Sequence, residues 1–132
     1  MNKTFGFIRK LNYGPFTWYC GYVGIMCDNI VPISHQGGAY GDDCLDTIVT
    51  CHGGITFDNY FNRDKLIIPV TEIPNDWFKY RCIGFDLNHF DDEKNGISNN
   101  FEYAKQEVLK LKEQIDNIIR DKMKQTNIST GD

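Results

Sequence analysis

Two rhythms of apolar and polar residues divide this chain. Through residues 1–92, short runs alternate apolar with polar positions and are broken by glycine, proline and aspartate. That period of two is the signature of strands with one buried face. The candidate strands are Phe16–Ile25, Thr47–Thr50, Ile55–Phe57, Leu66–Val70 and Tyr80–Asp86. In the first of them Phe16, Trp18, Cys20 and Tyr22 fall on one face. The glycine-rich stretch Ser34 to Asp42 reads as a flexible loop, and Asp58 to Asp64 as a polar connection. Ile73-Pro74-Asn75-Asp76 reads as a turn leading into Trp77, whose ring is expected to be partly exposed.

From residue 99 the period changes. Ala104, Val108, Leu111, Ile115, Ile118 and Ile119 recur at helical spacing and form one apolar stripe. Asn99 is the expected cap, with Glu102 three residues on as its capping-box partner. Lys112 with Asp116 and Asp116 with Arg120 stand at i, i+4 and can pair along the exposed side. Strands followed by one long helix predict an α+β fold: a mainly antiparallel sheet of short strands with a long C-terminal amphipathic helix packed on it. Residues 1–125 are expected to form a single domain and 126–132 a disordered tail. The stripe has a second use, as a homo-oligomer seam through helix 99–125, although about three heptads is the minimum for a coiled coil.

Composition narrows the partners. With 41 % apolar and 24 % charged residues among 132, the chain has an ordinary globular balance. A formal charge of −4 gives no general attraction to a nucleic acid backbone. No apolar run reaches the roughly 18–20 residues that span a bilayer, so no membrane partner is expected. Met1 to Gly6 lacks the apolar centre of a secretion signal, which makes a cytoplasmic location the default expectation. The five cysteines, with no Cys-x-x-Cys pair, read as reduced, mostly buried thiols and not as a disulfide framework or a zinc knuckle. Seven Tyr, nine Phe and two Trp exceed what packing alone calls for and supply surfaces for stacking a ring.

Candidate chemistry gathers in two tracts, Cys51-His52-Gly53-Gly54-Ile55-Thr56-Phe57 and Gly84-Phe85-Asp86-Leu87-Asn88-His89-Phe90-Asp91-Asp92. A histidine oriented by a carboxylate moves protons near neutral pH, so His52 with Asp86, or His89 with Asp91, is a candidate dyad. His52, Asp86 and His89 are also metal-ligand types, but Asp86 and His89 converge only if the chain turns between them. Cys51 and His52, as strand neighbours, face opposite ways and do not make a nucleophile–base pair. Gly53-Gly54 has no phosphate-loop spacing and reads first as a turn, second as a source of free amides. With Trp18, Tyr22, Thr56 and Trp77, these tracts are the expected lining of a pocket. No cofactor is implied.

Three stretches also carry a resemblance: Trp18-Tyr19-Cys20-Gly21-Tyr22-Val23, His52-Gly53-Gly54-Ile55-Thr56-Phe57 and Gly84-Phe85-Asp86-Leu87-Asn88-His89. Their order resembles that of a small family from phages and prophage-bearing bacteria, encoded by short genes without an assigned function. The family pattern runs Trp-Cys-Gly-Tyr-Val, His-Gly-Gly-Leu-Thr-Tyr/Phe, then Gly-Phe-Asp-Cys-x-His and Gly-Asp, with a Glu- and Lys-rich helix after it. The likeness spans residues 16–125, and the chain departs from it at the inserted Tyr19, at Leu87 in place of Cys, and at Phe90-Asp91-Asp92.

The resemblance implies a phage setting in which small proteins counter host defence. It makes a protein that sequesters a nucleotide-derived immune signal the leading expectation. A small hydrolase using His52, Asp86 and His89, with or without a divalent metal, is the alternative. Direct inhibition of a host enzyme or defence protein is a third.

Overall fold

The longest strands in the chain include one that alternation does not reveal. In the computed structural model, residues 3–27, 30–34 and 44–130 are described, with side chains to 125. β1 (Thr4–Tyr13) pairs antiparallel with β2 (Phe16–Ile25), the latter bounded as expected. β1 escapes the period-two reading because Gly6 interrupts one face and Arg9 and Lys10 put charge on both. β5 (Arg81–Asp86) pairs with β2, β3 (Phe57–Asn59) with β5, and β4 (Ile68–Pro69) with β1. The sheet runs β3-β5-β2-β1-β4, antiparallel throughout, with α2 (Phe101–Thr130) packed on β1 and β2. The fold is α+β, as the two rhythms predict. No helix of the described residues is long and apolar enough to cross a membrane.

Three expected strands move or shrink. The first half of Thr47–Thr50 falls in a single helical turn, α1 (Leu45–Ile48), where the Thr47 hydroxyl donates to the Cys44 carbonyl and Leu45 is buried. That local bond competes with extension, which β-branching alone had favoured. Ile55–Phe57 becomes β3 two residues later, and Leu66–Val70 contracts to Ile68–Pro69. All but the first residue of the glycine-rich loop Ser34 to Asp42 lies outside the described residues.

Strand register arranges the side chains in rows. On one face lie Phe7, Tyr22, Gly84 and Phe57; then Arg9, Cys20 and Asp86; then Leu11 and Trp18. Helix α2 covers the other face through Ala104, Val108, Leu111, Ile115 and Ile119, all at most 2 % exposed. The stripe that sequence offers as an oligomer seam is therefore covered by the chain's own sheet. The helix sits close because Gly6 and Gly21 leave room: a β-carbon on either would lie 2.6 Å from a Val108 methyl. The helix cap is Asn100, one residue later than expected, its side chain accepting from the Tyr103 amide. Asn99 instead ties the helix to β2 through Thr17, and Glu102 is left without the capping-box role. Lys112 pairs with Asp116 as the spacing predicts, at 3.0 Å.

The second face is aromatic. Phe5, Phe7 and Tyr22 pack under Phe61, Trp77, Phe78 and Tyr80 from the connection between β3 and β5. Trp77 is only 8 % exposed, contrary to the expectation of a partly exposed ring. The turn before it directs the indole inward, 5.3 Å from the Phe7 ring. At the sheet margin Arg81 donates to both Asp58 carboxylate oxygens and to the carbonyls of Val31 and Pro32, while Ser34 also donates to Asp58.

Burial would raise the Asp58 carboxyl, but the Arg81 and Ser34 hydrogen bonds and the Arg81 charge hold it below its ordinary 3.8. The folded value is lower than the unfolded one, so this stabilisation is complete above 3.8 and disappears as pH falls through the lowered value. Asp58→Asn is expected to cost about 3–5 kcal/mol at pH 7, because it strands a buried guanidinium. In urea titrations the gap from the parent protein should narrow below pH 3.8; a gap independent of pH contradicts the assignment.

Candidate functional site

The aromatic cover does not reach the end of the sheet. It ends over the Phe7–Tyr22 row, and beyond it a pocket of about 350 Å³ opens above Cys20, Leu11 and Trp18. Tyr22, Thr56, Phe57, Asp86, Asn88 and His89 also line it. Of the expected ligand residues, Trp18, Tyr22, Thr56, Asp86 and His89 line this space. His52, Gly53 and Gly54 stand next to His89 and support it. Trp77 belongs to the buried aromatic layer instead.

The convergence of Asp86 and His89 depends on a turn. As β5 ends, the Asn88 amide donates to Asp86 Oδ1 at 3.0 Å and bends the chain out of extension. His89 Nε2 then comes within 3.5 Å of the same oxygen. It carries no hydrogen bond and is shut off from solvent. A β-carbon on Gly53 would lie 2.1 Å from that nitrogen, so only glycine lets the ring lie there. Gly53 and Gly54 have φ of +69° and +84°, and the Gly54 amide bonds the Cys51 carbonyl. The pair is a turn, and the Gly54 amide is engaged within it.

His52 is a clasp. Its Nε2 lies 2.8 Å from Asp92 Oδ2 and its Nδ1 2.9 Å from the Tyr103 hydroxyl. In the tautomer that donates from Nε2 to the carboxylate, Nδ1 is left to accept from the Tyr103 hydroxyl. Its backbone amide donates to Glu107, and Asp92 also accepts the His89 amide. Three segments are thereby joined: the glycine turn, the loop after β5 and helix α2. Burial would raise the Asp92 carboxyl, but the His52 side chain and His89 amide hydrogen bonds, with the charges of both histidines, hold it low.

These contacts redraw the expected dyads. His52 pairs with Asp92 and not Asp86, while His89 meets Asp86 and not Asp91. Both His52 nitrogens are engaged, and among the described residues no three His, Cys, Asp or Glu side chains converge as metal ligands. Cysteine chemistry is muted as well: burial pushes the Cys20 thiol up to about 11 and Cys51 to about 12. Burial also pushes Tyr22 upward, keeping its hydroxyl neutral.

Sequence reasoning missed Tyr103 and Glu107, and it placed Asp92 in the second tract without its partner. Asp92 was ambiguous beside Asp91, which takes a left-handed φ of 71° at the turn. Tyr103 and Glu107 stand at i, i+4 on the flank of the apolar stripe, a spacing that marks one helix face without naming its partner. A second, polar cleft of about 450 Å³ adjoins the pocket at Asn88 and His89 and continues along Asp91, Glu93 and Lys94. No family model, curated protein or solved structure matches the chain.

Alanine at either glycine of the turn meets the left-handed strain of about 1–2 kcal/mol. Gly53→Ala also displaces the His89 ring, whereas a β-carbon at Gly54 has open space. Gly53→Ala should therefore lose at least about 1 kcal/mol more stability than Gly54→Ala in urea unfolding. Equal losses would contradict the close approach of His89.

Proposed function

We propose that this chain is a small binding protein that takes the planar end of a nucleotide-derived molecule into the pocket and holds it without turnover. The observation that carries the reading is the convergence of aromatic walls, Trp18, Tyr22 and Phe57, with the polar Asp86 and Asn88 around about 350 Å³. Small-ligand sites have this character: mostly apolar and aromatic, with a few placed polar groups, and volumes of about 300–1,000 Å³. Sequestration suits the chemistry, since Cys20 and Tyr22 stay neutral and His52 is engaged on both sides. The likeness to short phage genes supplies the setting, a host cytoplasm in which removing an immune signal protects the phage.

A hydrolase is the second reading, favoured by the approach of His89 to Asp86 at 3.5 Å beside the pocket. It no longer includes His52. The two readings part on the fate of the ligand. Purified protein incubated with a nucleotide extract and then denatured should release an intact compound in mass spectrometry; altered products would select the hydrolase. Trp18→Ala should weaken retention by about tenfold, the scale of one lost stacking contact, with melting temperature kept. Trp77→Ala should instead destabilise the fold by about 3–5 kcal/mol. Undiminished retention in Trp18→Ala would remove the pocket from the account.

A further inference from the structure

The polar groups of the pocket select among planar ligands. Among the described residues, Asp86 is the one carboxylate that lines it, and no lysine or arginine does. Asp86 Oδ1 accepts the Asn88 amide, while Oδ2 has no protein donor among the described residues. An ionised carboxylate only accepts, so the matching ligand edge must donate. Arg9, in the same row of the sheet, holds its guanidinium 5.2 Å from the Phe61 ring centroid and bonds Tyr22, and its charge reaches Cys20 and Tyr22 from behind the lining. The adjoining cleft is lined, among the described residues, by Asp91 and Glu93 with Lys94. Arg9 is already engaged by Tyr22 and Phe61, so the cation nearest the pocket is spoken for.

Among the common bases, guanine places two N–H donors side by side, the ring N1–H and the exocyclic amine, in the spacing of a carboxylate. Adenine places an acceptor nitrogen beside its amine, which a carboxylate repels. Uracil has one donor between two acceptors. Two hydrogen bonds to a charged acceptor inside a half-enclosed aromatic pocket are a strong discriminator.

We propose that the pocket reads a guanine-type base through its paired donors on Asp86, against the walls formed by Trp18, Tyr22 and Phe57, and leaves any phosphate in solvent. This rests on the pocket being the ligand site. The phosphate of a guanine nucleotide then contributes little, and recognition comes from the base.

Calorimetric titration of the full chain with guanosine, adenosine, inosine, xanthosine and guanosine monophosphate tests it. Guanosine should bind about tenfold or more tightly than adenosine, the scale of a hydrogen bond to a charged group, with inosine between them. Guanosine monophosphate should match guanosine within about tenfold, because Arg9 is engaged by Tyr22 and no lysine or arginine among the described residues lines the pocket. Asp86→Asn keeps an acceptor for the Asn88 amide, so the turn survives. It should erase the preference for guanosine and gain xanthosine, whose carbonyl replaces the amine and accepts from the new amide.

Adenosine binding as well as guanosine, or a guanosine preference that survives Asp86→Asn, overturns the base assignment and leaves the pocket standing. A gain of about tenfold or more from the phosphate overturns its exclusion. Binding of none of the five compounds overturns the base assignment; retention of some other compound from the extract, lost in Trp18→Ala, would then show that the pocket reading survives it.

Discussion

β1, β2 and β5 are apolar on both faces, so the central sheet is stable only when covered twice. Everything else in the structure follows from how unequal the two covers are. Helix α2 is long enough to cover one face along the strands, and it closes on Gly6 and Gly21 because those positions carry no side chain. The second cover is a connection between strands, anchored by Phe61 and Trp77 over Phe7 and Tyr22. It ends before the Cys20 and Trp18 rows. What remains is a recess with an apolar floor and an acidic side.

The acidic side is built by local geometry and secured from a distance. Asp86 is the last residue of β5, and its carboxylate turns the chain by accepting the Asn88 amide. His89 then stands over the recess, lodged against Gly53. His52 reaches past it to Asp92 and Tyr103, so the loop is fixed to the helix that covers the opposite face. One side chain with both nitrogens engaged thus couples the site to the core. This gives His52 a supporting role in holding the loop to the helix.

Much of the fold was legible because it rests on period. The stripe from Ala104 to Ile119 and the alternation of Trp18, Cys20 and Tyr22 each reported the face that the structure buries. β1 was not legible, since Gly6 serves helix packing and Arg9 places its charge over an aromatic ring. Trp77 was misread because a turn states where the chain bends and not where the next ring goes. At the site, Asp86 and His89 were found by residue type, but their meeting required an Asx turn that sequence only permits. The partners of His52 were hidden because they lie 40 and 51 residues away and were chosen by tertiary packing.

Function follows from the recess more than from any single reactive group. Its thiol and phenol are held neutral, Asp86 accepts as the one lining carboxylate among the described residues, and its remaining walls are mostly rings. On the proposed reading, such a surface takes a flat molecule with donors on its edge. The most direct measurement is the electron density of a crystal soaked with guanosine. The account expects a ring between Trp18 and Asp86, with its donor edge on the carboxylate and its ribose toward Asn88. Clear density for the nucleoside in the Asp91–Lys94 cleft, or elsewhere on the chain with the recess empty, would contradict it.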